Sequence, residues 1–365
     1  MEYQQCNRCV MDTSAENIVF DQEGNCNFCT DFLNRLEKGT SNLADKLDAF
    51  IVQIKKDGQG KKYDCIVGVS GGADSSYALY LAKKHGLRVL AVHMDNGWNS
   101  ELATNNIETI ISNMEVDLYT HVIDWNEYKQ LMQSFFDEDV IDIELLYDNA
   151  MLAVNYSLAS KYGIKYILSG SNSSTEGMAM PTNWNWFKYD KRNIKNIAKK
   201  HQVKIKTFPI IGTLDYLYYR IIKKISWVPF LDYVEYNKEE AMLFLKDNYG
   251  FKPYPYKHYE SVFTRFYQGY ILPEKFSVDK RKMHLSSLIC SGQMSREEAL
   301  SDLKRLPYAS QEALDNDTEF FLKKMGWHRD DLESYLKREE KSHLIHGTEK
   351  PLWDFCLQSY QKYVK

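Results

Sequence analysis

Residues 63–84 read Tyr63-Asp-Cys-Ile-Val-Gly-Val-Ser70-Gly71-Gly72-Ala-Asp74-Ser75-Ser76-Tyr-Ala-Leu-Tyr-Leu-Ala-Lys-Lys84. The apolar run up to Val69 predicts a strand and the paired glycines a turn. Ala78, Leu79, Leu81 and Ala82, then Lys83, Lys84 and Gly86, predict a helix with its stop. Strand, glycine turn and helix start in that order aim backbone N–H groups at a phosphate. Gly71 and Gly72 tolerate positive φ and put no Cβ in the way. Ser70, Ser75 and Ser76 add hydroxyl donors, and the helix adds the positive end of its dipole. The turn is not G-x-x-x-x-G-K-[ST], so no lysine of its own reaches a γ-phosphate, and it is not the G-x-G-x-x-G of dinucleotide sites. Asp74 would repel a polyphosphate unless a cation lay between, so Mg²⁺ ligation is its natural role.

The string Ser70–Ser75 resembles the S-G-G-x-D-S signature of the PP-loop ATP pyrophosphatases, which split ATP between the α and β phosphates and pass AMP to an oxygen acceptor. The resemblance implies ATP contacts from Val69, Ser70, Gly71, Gly72, Asp74, Ser75 and Ser76, with Ser70 and Asp74 catalytic. It assigns adenine to backbone groups of Val92, His93 and Met94. Gly170-Ser-Asn-Ser-Ser-Thr-Glu176 is similar to the G-x-[DN]-x-x-x-E segment of ammonia-dependent relatives. On that likeness Glu176 joins Asp74 as a catalytic Mg²⁺ ligand and Gly170 lines the ATP site. Asn172, where many relatives carry Asp, is grouped with the substrate contacts.

Four of the seven cysteines form Cys6-x-x-Cys9 and Cys26-x-x-Cys29. Two such pairs a hairpin apart are a zinc signature, and four thiolates make a closed structural site. Iron or an iron–sulfur cluster is the alternative occupant, and disulfides are disfavoured in a reducing compartment. Cys65 reads as core, and Cys290 and Cys356 as isolated small buried residues.

The 365-residue chain is ordinary for a globular protein, at 44% hydrophobic and 26% charged. A net charge of −4 leaves no electrostatic footprint for nucleic acid. Its first residues are not a signal peptide, and Leu214–Tyr233 is too polar to cross a bilayer, so a cytoplasmic protein is expected. Strands are expected at 63–69, 87–93, 118–123 and 166–168, with 204–209 a weaker fifth, alternating with helices. This is an α/β pattern with a parallel, doubly wound sheet. Residues 1–35 form the zinc module, 36–211 the PP-loop domain after a linker at 57–60, and 212–365 a helical, aromatic substrate or dimer domain. The turns after the strands, including Asp95–Asn99, should line one crevice at the sheet's carboxyl edge.

Beyond the loop, Cys9-Val-Met-Asp-Thr13, Val92-His-Met-Asp-Asn-Gly-Trp-Asn-Ser-Glu101, Thr120-His-Val-Ile-Asp-Trp125, Lys257-His-Tyr-Glu-Ser261 and Asp279-Lys-Arg281 with His284–Gln293 together resemble the N-acetyl sugar amidotransferases of surface-polysaccharide and flagellin-glycan biosynthesis. That resemblance implies an ATP-dependent C–N ligase that turns an acetamido group of a nucleotide-linked or nonulosonic sugar into acetamidino. Ammonia would come from a separate glutaminase, since residue 2 is Glu and the chain has no convincing nucleophile elbow. Lys257, Arg265, Lys280 and Arg281 are candidates for the sugar's carboxylate or diphosphate, with a solvated basic surface as the alternative. Glu144, Asp148 and Glu260 are candidates to balance a cationic amidine. The strongest rival is a tRNA thiolation enzyme, which needs further paired cysteines near the loop; a degenerate nucleotide-binding module is the non-enzymatic one.

Overall fold

The computed structural model describes residues 2–39, 42–254 and 260–364. Five parallel strands, β1 (Cys65–Gly68), β2 (Val89–Asp95), β3 (Asp117–Val122), β4 (Tyr166–Ser169) and β5 (Ser226–Pro229), form one sheet in the order β3-β2-β1-β4-β5. The chain winds outward from β1 to β3 and then returns to place β4 on the other side of β1. The strand order therefore reverses between β1 and β4, where ligands of open α/β sheets bind.

Alternate residues of the central strands feed two cores, as the pleat requires. Ile66, Leu90, Val92, Met94 and Ile167 face one, with α5 (Trp125–Asp137) and α6 (Leu145–Tyr162). Cys65, Val67, Val89, Ala91 and Leu168 face the other, with α2 (Leu43–Asp57), α3 (Ala73–Lys84) and α4 (Glu101–Met114). The caps are local: Ser100 accepts from the Ala103 N–H, Asp124 from Glu127, and Gly163 ends α6 at φ 68°. Edge strand β3 is half exposed, unlike the buried strands inside.

Two expectations are corrected. Residues 204–209 are irregular, and the fifth strand is β5, within the region expected to be wholly helical. Its Trp227-Val228 pair against Ile167-Leu168 of β4, a long-range pairing that outweighs the helical look of the surrounding sequence. The supposed linker at 57–60 is fixed: Arg88 donates to the Gly58 carbonyl at 2.7 Å and to the Lys61 carbonyl at 2.5 Å, and chelates Asp64.

The cysteine module, continuing into α1 (Asn27–Gly39), is clasped by the carboxyl-terminal region. Helix Arg281–Cys290 offers Ser286 Oγ to the Val10 N–H at 3.2 Å and Ser287 Oγ to the Met178 N–H at 3.1 Å. Arg296 donates to the carbonyls of Cys6 and Cys9 at 2.9 and 3.0 Å. Lys282 reaches the fully buried Asp12 at 2.5 Å. Burial by itself would raise the Asp12 pKa, but Lys282 and Ser14 outweigh it and hold the carboxyl below the usual range.

Lys282→Met strands this carboxylate and should cost about 3–5 kcal/mol of unfolding free energy at neutral pH, measured by denaturant titration. The wild-type advantage is present above the ordinary aspartate pKa of about 3.9 and disappears as pH falls through the lowered folded value.

Candidate active site

The loop between β1 and α3 is braced by its own side chains. Gly72 N–H donates to Ser70 Oγ at 3.3 Å, Ser70 N–H to Ser75 Oγ at 3.3 Å, and Ser75 Oγ–H to the Gly72 carbonyl at 3.1 Å. Gly71 has φ 83°, and a Cβ there would lie 2.6 Å from the Ala103 carbonyl oxygen, so glycine is required twice over. Its carbonyl is occupied by Tyr254 Oη at 2.7 Å. Ser76 is buried in the first turn of α3, and the Val69 N–H is spent on the Val92 carbonyl. Val92 and Met94 are buried strand residues. Buried His93 accepts from Asn99 Nδ2 at 3.0 Å, which leaves the proton on Nδ1 to donate to the Val69 carbonyl at 3.0 Å. Burial lowers its pKa and keeps it neutral as a brace between loop and strand.

The second wall follows β4. A Cβ on Gly170 would fall 2.6 Å from the Asp74 carbonyl carbon and the Ser75 nitrogen, so backbone meets backbone at the start of α3. Asn172 is buried and caps α7 (Ser173–Glu176), accepting from the Thr175 N–H at 2.8 Å. Its oxygen thus shapes the loop rather than facing a ligand. Ser173 is tied to Asp232 through its N–H at 2.6 Å and Oγ at 2.9 Å, which joins α7 to the turn after β5.

That turn brings in two groups that the sequence reading missed. Tyr236 donates its hydroxyl to Asp74 Oδ1, and Lys238 Nζ lies 3.2 Å from Asp74 Oδ2. Burial would lower the Lys238 pKa, but Asp74, Glu260 and Glu176 raise it. The ammonium thus pairs with Asp74, and the charges of Glu260 and Glu176 act on it as well. Glu260 also overhangs the loop: its Oε1 is 3.5 Å from where a Gly72 Cβ would be.

Beside the loop opens a cleft of about 310 Å³, lined among others by Ser70, Asn96, Asn99, Glu144, Asp148, Lys188, Glu260 and Lys280. Four expected substrate residues therefore meet there. Its charges are paired: Lys280 Nζ is 3.1 Å from Glu144 Oε2, which also accepts from Gln268 at 2.8 Å, and Lys188 Nζ is 2.8 Å from Asp148 Oδ2. Lys188 is held from behind by fully buried Asp142 at 2.6 Å. Burial would depress the Lys188 pKa, but Asp142 and Asp148 push it up. Lys188, in the run Trp184-Asn-Trp-Phe-Lys188, was detectable as a lysine among aromatics. Lys238 had only its place after a helix cap.

Two expected residues lie elsewhere. Arg265 forms a bidentate pair with Asp317 at 2.6 and 2.7 Å. Arg281 is bound to Asp279 and to the carbonyls of Asp302, Leu303 and Arg305. Neither lines the cleft, since each is drawn to acceptors within its own region. Lys257 lies outside the described residues.

The four amino-terminal cysteines converge with all sulfurs within 4.8 Å of one another. Cys6–Cys29 and Cys9–Cys26 are 3.8 and 3.6 Å apart, against an edge of about 3.8 Å for tetrahedral zinc with Zn–S bonds of about 2.3 Å. Backbone N–H groups of Cys9, Cys26 and Cys29 point at the sulfurs, as thiolates need. Cys290 is not isolated as expected but sits beside Cys29. Among the described residues no helix is long and apolar enough to cross a membrane.

A family model described as "LPS biosynthesis protein WbpG-like, C-terminal domain" matches residues 260–360, and one described as "Queuosine biosynthesis protein QueC" matches residues 64–214. A "Probable tRNA sulfurtransferase" of Methanobrevibacter smithii is 31% identical over 136 residues, 34% of this chain and 35% of the relative. An uncharacterized protein of Methanocaldococcus jannaschii is 27% identical over 168 residues, 45% of this chain and 58% of the relative. The matches thus span about a third and somewhat over half of those relatives' lengths. Among solved structures, an NH3-dependent NAD synthetase from Campylobacter jejuni is 13% identical, covering 69% of this chain and 97% of its own, with a TM-score of 0.30. An NMN synthetase from Francisella tularensis is 16% identical, covering 62% and 97%, with a TM-score of 0.28.

Gly170→Ala should cost about 1–3 kcal/mol through overpacking against backbone that no rotamer change relieves, and should weaken ATP binding, as read by denaturation and calorimetry. The cysteine site should hold about one zinc per chain by elemental analysis, and Cys26→Ser should lose it together with the fold of the module. Folded, metal-free wild-type protein would contradict the zinc assignment.

Proposed function

We propose, for a chain that belongs to the PP-loop ATP pyrophosphatases and carries the WbpG-like carboxyl-terminal domain, an ATP-dependent amidation of an acetamido sugar. The observation that carries this reading is the junction of the glycine loop, the Gly170–Glu176 loop and the charged cleft at the β1/β4 switch point.

An amide carbonyl is a poor electrophile with a poor leaving group. The proposed sequence first has the amide oxygen attack the α-phosphorus of ATP, breaking the bond to the β-phosphate oxygen and releasing pyrophosphate. Ammonia then adds to the carbon of the O-adenylyl imidate, the C–O bond breaks, and AMP leaves an amidinium. Ser70, Gly71 and Gly72 would cradle the leaving pyrophosphate, and Asp74 with Glu176 would hold Mg²⁺. A bound Mg²⁺ supplies charge neutralisation on the phosphates. The sugar would lie in the cleft, with Lys188 and Lys280 available to anionic groups and Glu144, Asp148 and Glu260 to the cationic product. Positioning and fixed charge are then the chain's main contributions. A nucleotide-linked sugar is the substrate class we favour, with ammonia from a partner glutaminase and the reaction in the cytoplasm, where ATP is made available. The three-part division at residues 35 and 211, and a homodimer built on the tail, belong to the same proposal.

tRNA thiolation is the second reading. A relative is named a probable tRNA sulfurtransferase, and Cys290 beside Cys29 adds a fifth thiol to the module. Dependence of turnover on tRNA would favour it; turnover with an acetamido sugar alone would exclude it.

Asp74→Asn should lower kcat by about 100-fold or more with a smaller effect on ATP affinity, because the carboxylate serves where charge develops. Products should be AMP and pyrophosphate; ADP and phosphate would overturn adenylation. The isolated chain should use concentrated ammonium, increasingly as pH rises and free ammonia grows, but not glutamine. Efficient glutamine use by the pure chain would end the two-protein proposal.

A further inference from the structure

Charge is unevenly spread along this chain. Between Asp190 and Asp215 it holds seven lysines and arginines and no carboxylate, although the net charge of the whole is −4. This stretch opens with α8 (Lys191–Lys200), whose Ile194, Ile197 and Ala198 are buried. Arg192, Lys195 and Lys199 are exposed at the i, i+3, i+7 spacing of one helical face, and none of the three makes an ion pair among the described residues. Against α8 lies the segment 341–349, pinned by side-chain amides. Asn193 Nδ2 donates to the carbonyls of His343 and Gly347 at 2.9 Å each, and Asn196 Nδ2 to the His346 carbonyl at 2.7 Å. His343 and His346 turn inward: the first stacks on Trp186 with ring centroids 4.7 Å apart, and the second lies 3.2 Å from the buried Glu138. Leu344 and Ile345, between these two anchors, are thereby held outward in a short turn, 62% and 63% exposed. The neighbouring helix, Thr213–Leu217 with its continuation Tyr218–Ile222, is tied to α8 by the Lys191–Asp215 ion pair at 2.8 Å. It ends in Ile221-Ile222-Lys223-Lys224, all four exposed, which repeats the pairing of aliphatic with basic side chains.

We propose that this face docks on an anionic lipid bilayer. Leu344 and Ile345 enter the boundary between headgroups and acyl chains, while Arg192, Lys195 and Lys199 lie on the headgroup phosphates. An aliphatic pair on an anchored base beside unpaired cations matches the two layers of such a surface. A second copy of the chain fits poorly, because a two-fold interface would bring the basic stripe against itself. A nucleic acid would engage the cations and leave the aliphatic pair in water. The acidic remainder of the chain is repelled by the same bilayer, which turns α8 toward it. The attachment is peripheral, since among the described residues no helix is long and apolar enough to cross a membrane. The docking face is independent of the adenylation chemistry and holds under either functional reading.

The test is co-sedimentation of the full chain with vesicles of phosphatidylethanolamine and phosphatidylglycerol, against vesicles of phosphatidylcholine alone. The chain should bind the anionic vesicles only, and more weakly as salt is raised. Arg192→Gln, Lys195→Gln and Lys199→Gln combined should lower the partition about 100-fold, at about 5-fold for each basic side chain. Leu344→Ser with Ile345→Ser should lower it about 10-fold or more while leaving the salt dependence in place. Leu344→Trp should move its indole emission to shorter wavelength with anionic vesicles and not with neutral ones. All five positions are exposed, so circular dichroism of the variants should match wild type. Absence of binding to anionic vesicles, equal binding to neutral ones, or wild-type partition in both multiple variants would overturn the proposal. So would a chain that ignores vesicles and loses a self-association, seen by light scattering, in Leu344→Ser with Ile345→Ser, or one that ignores vesicles and binds RNA through the three cations.

Discussion

The contact on which the site depends is backbone against backbone: Gly170, at the end of β4, meets Asp74 and Ser75 at the start of α3 with no room for a Cβ. Parallel pairing of β1 with β4 brings the two loops to the same edge, and this approach locks them together. From it follow the positions of Asp74 on one loop and Glu176 on the other. Asn172, held inside by its cap to Thr175, keeps the second loop from relaxing away.

A second layer of constraint comes from the carboxyl-terminal half. Asn99 bridges to Ser261, the Ser100 N–H donates to the Glu260 carbonyl at 2.9 Å, and the Val262 N–H donates to the Trp98 carbonyl at 2.9 Å. The turn after β2 and the segment that supplies Glu260 are therefore one structure. Ser286 and Ser287 on a single helix then connect the cysteine module to the loop after α7. The cysteine module is thus joined to the loop after α7 by hydrogen bonds through this helix.

The cleft pairs each buried charge before any ligand arrives. Lys280 with Glu144, and Lys188 between Asp142 and Asp148, avoid the penalty of isolated buried ions. Arg265 and Arg281 are bound to acceptors of their own region and act as struts.

Local features were legible in the amino-acid order. The glycine loop, the two Cys-x-x-Cys pairs and the alternation around β1, β2 and β4 depend on neighbours within a few residues, where spacing dictates geometry. Glu144, Asp148, Glu260 and Lys280 were nameable as charged candidates, but their meeting in one cleft was not a local property. β5 could not be read, because its pairing partner supplies what its own four residues lack. Nor could the pairing of Lys238 with Asp74, 164 residues away, which forms only when the helix that Lys238 starts packs on α3. Sequence alone determined the form of the glycine loop and the two Cys-x-x-Cys pairs, since each is built from residues close together in the chain. Tertiary structure decided which distant charges face that chemistry, because such contacts are chosen by the packing of whole elements.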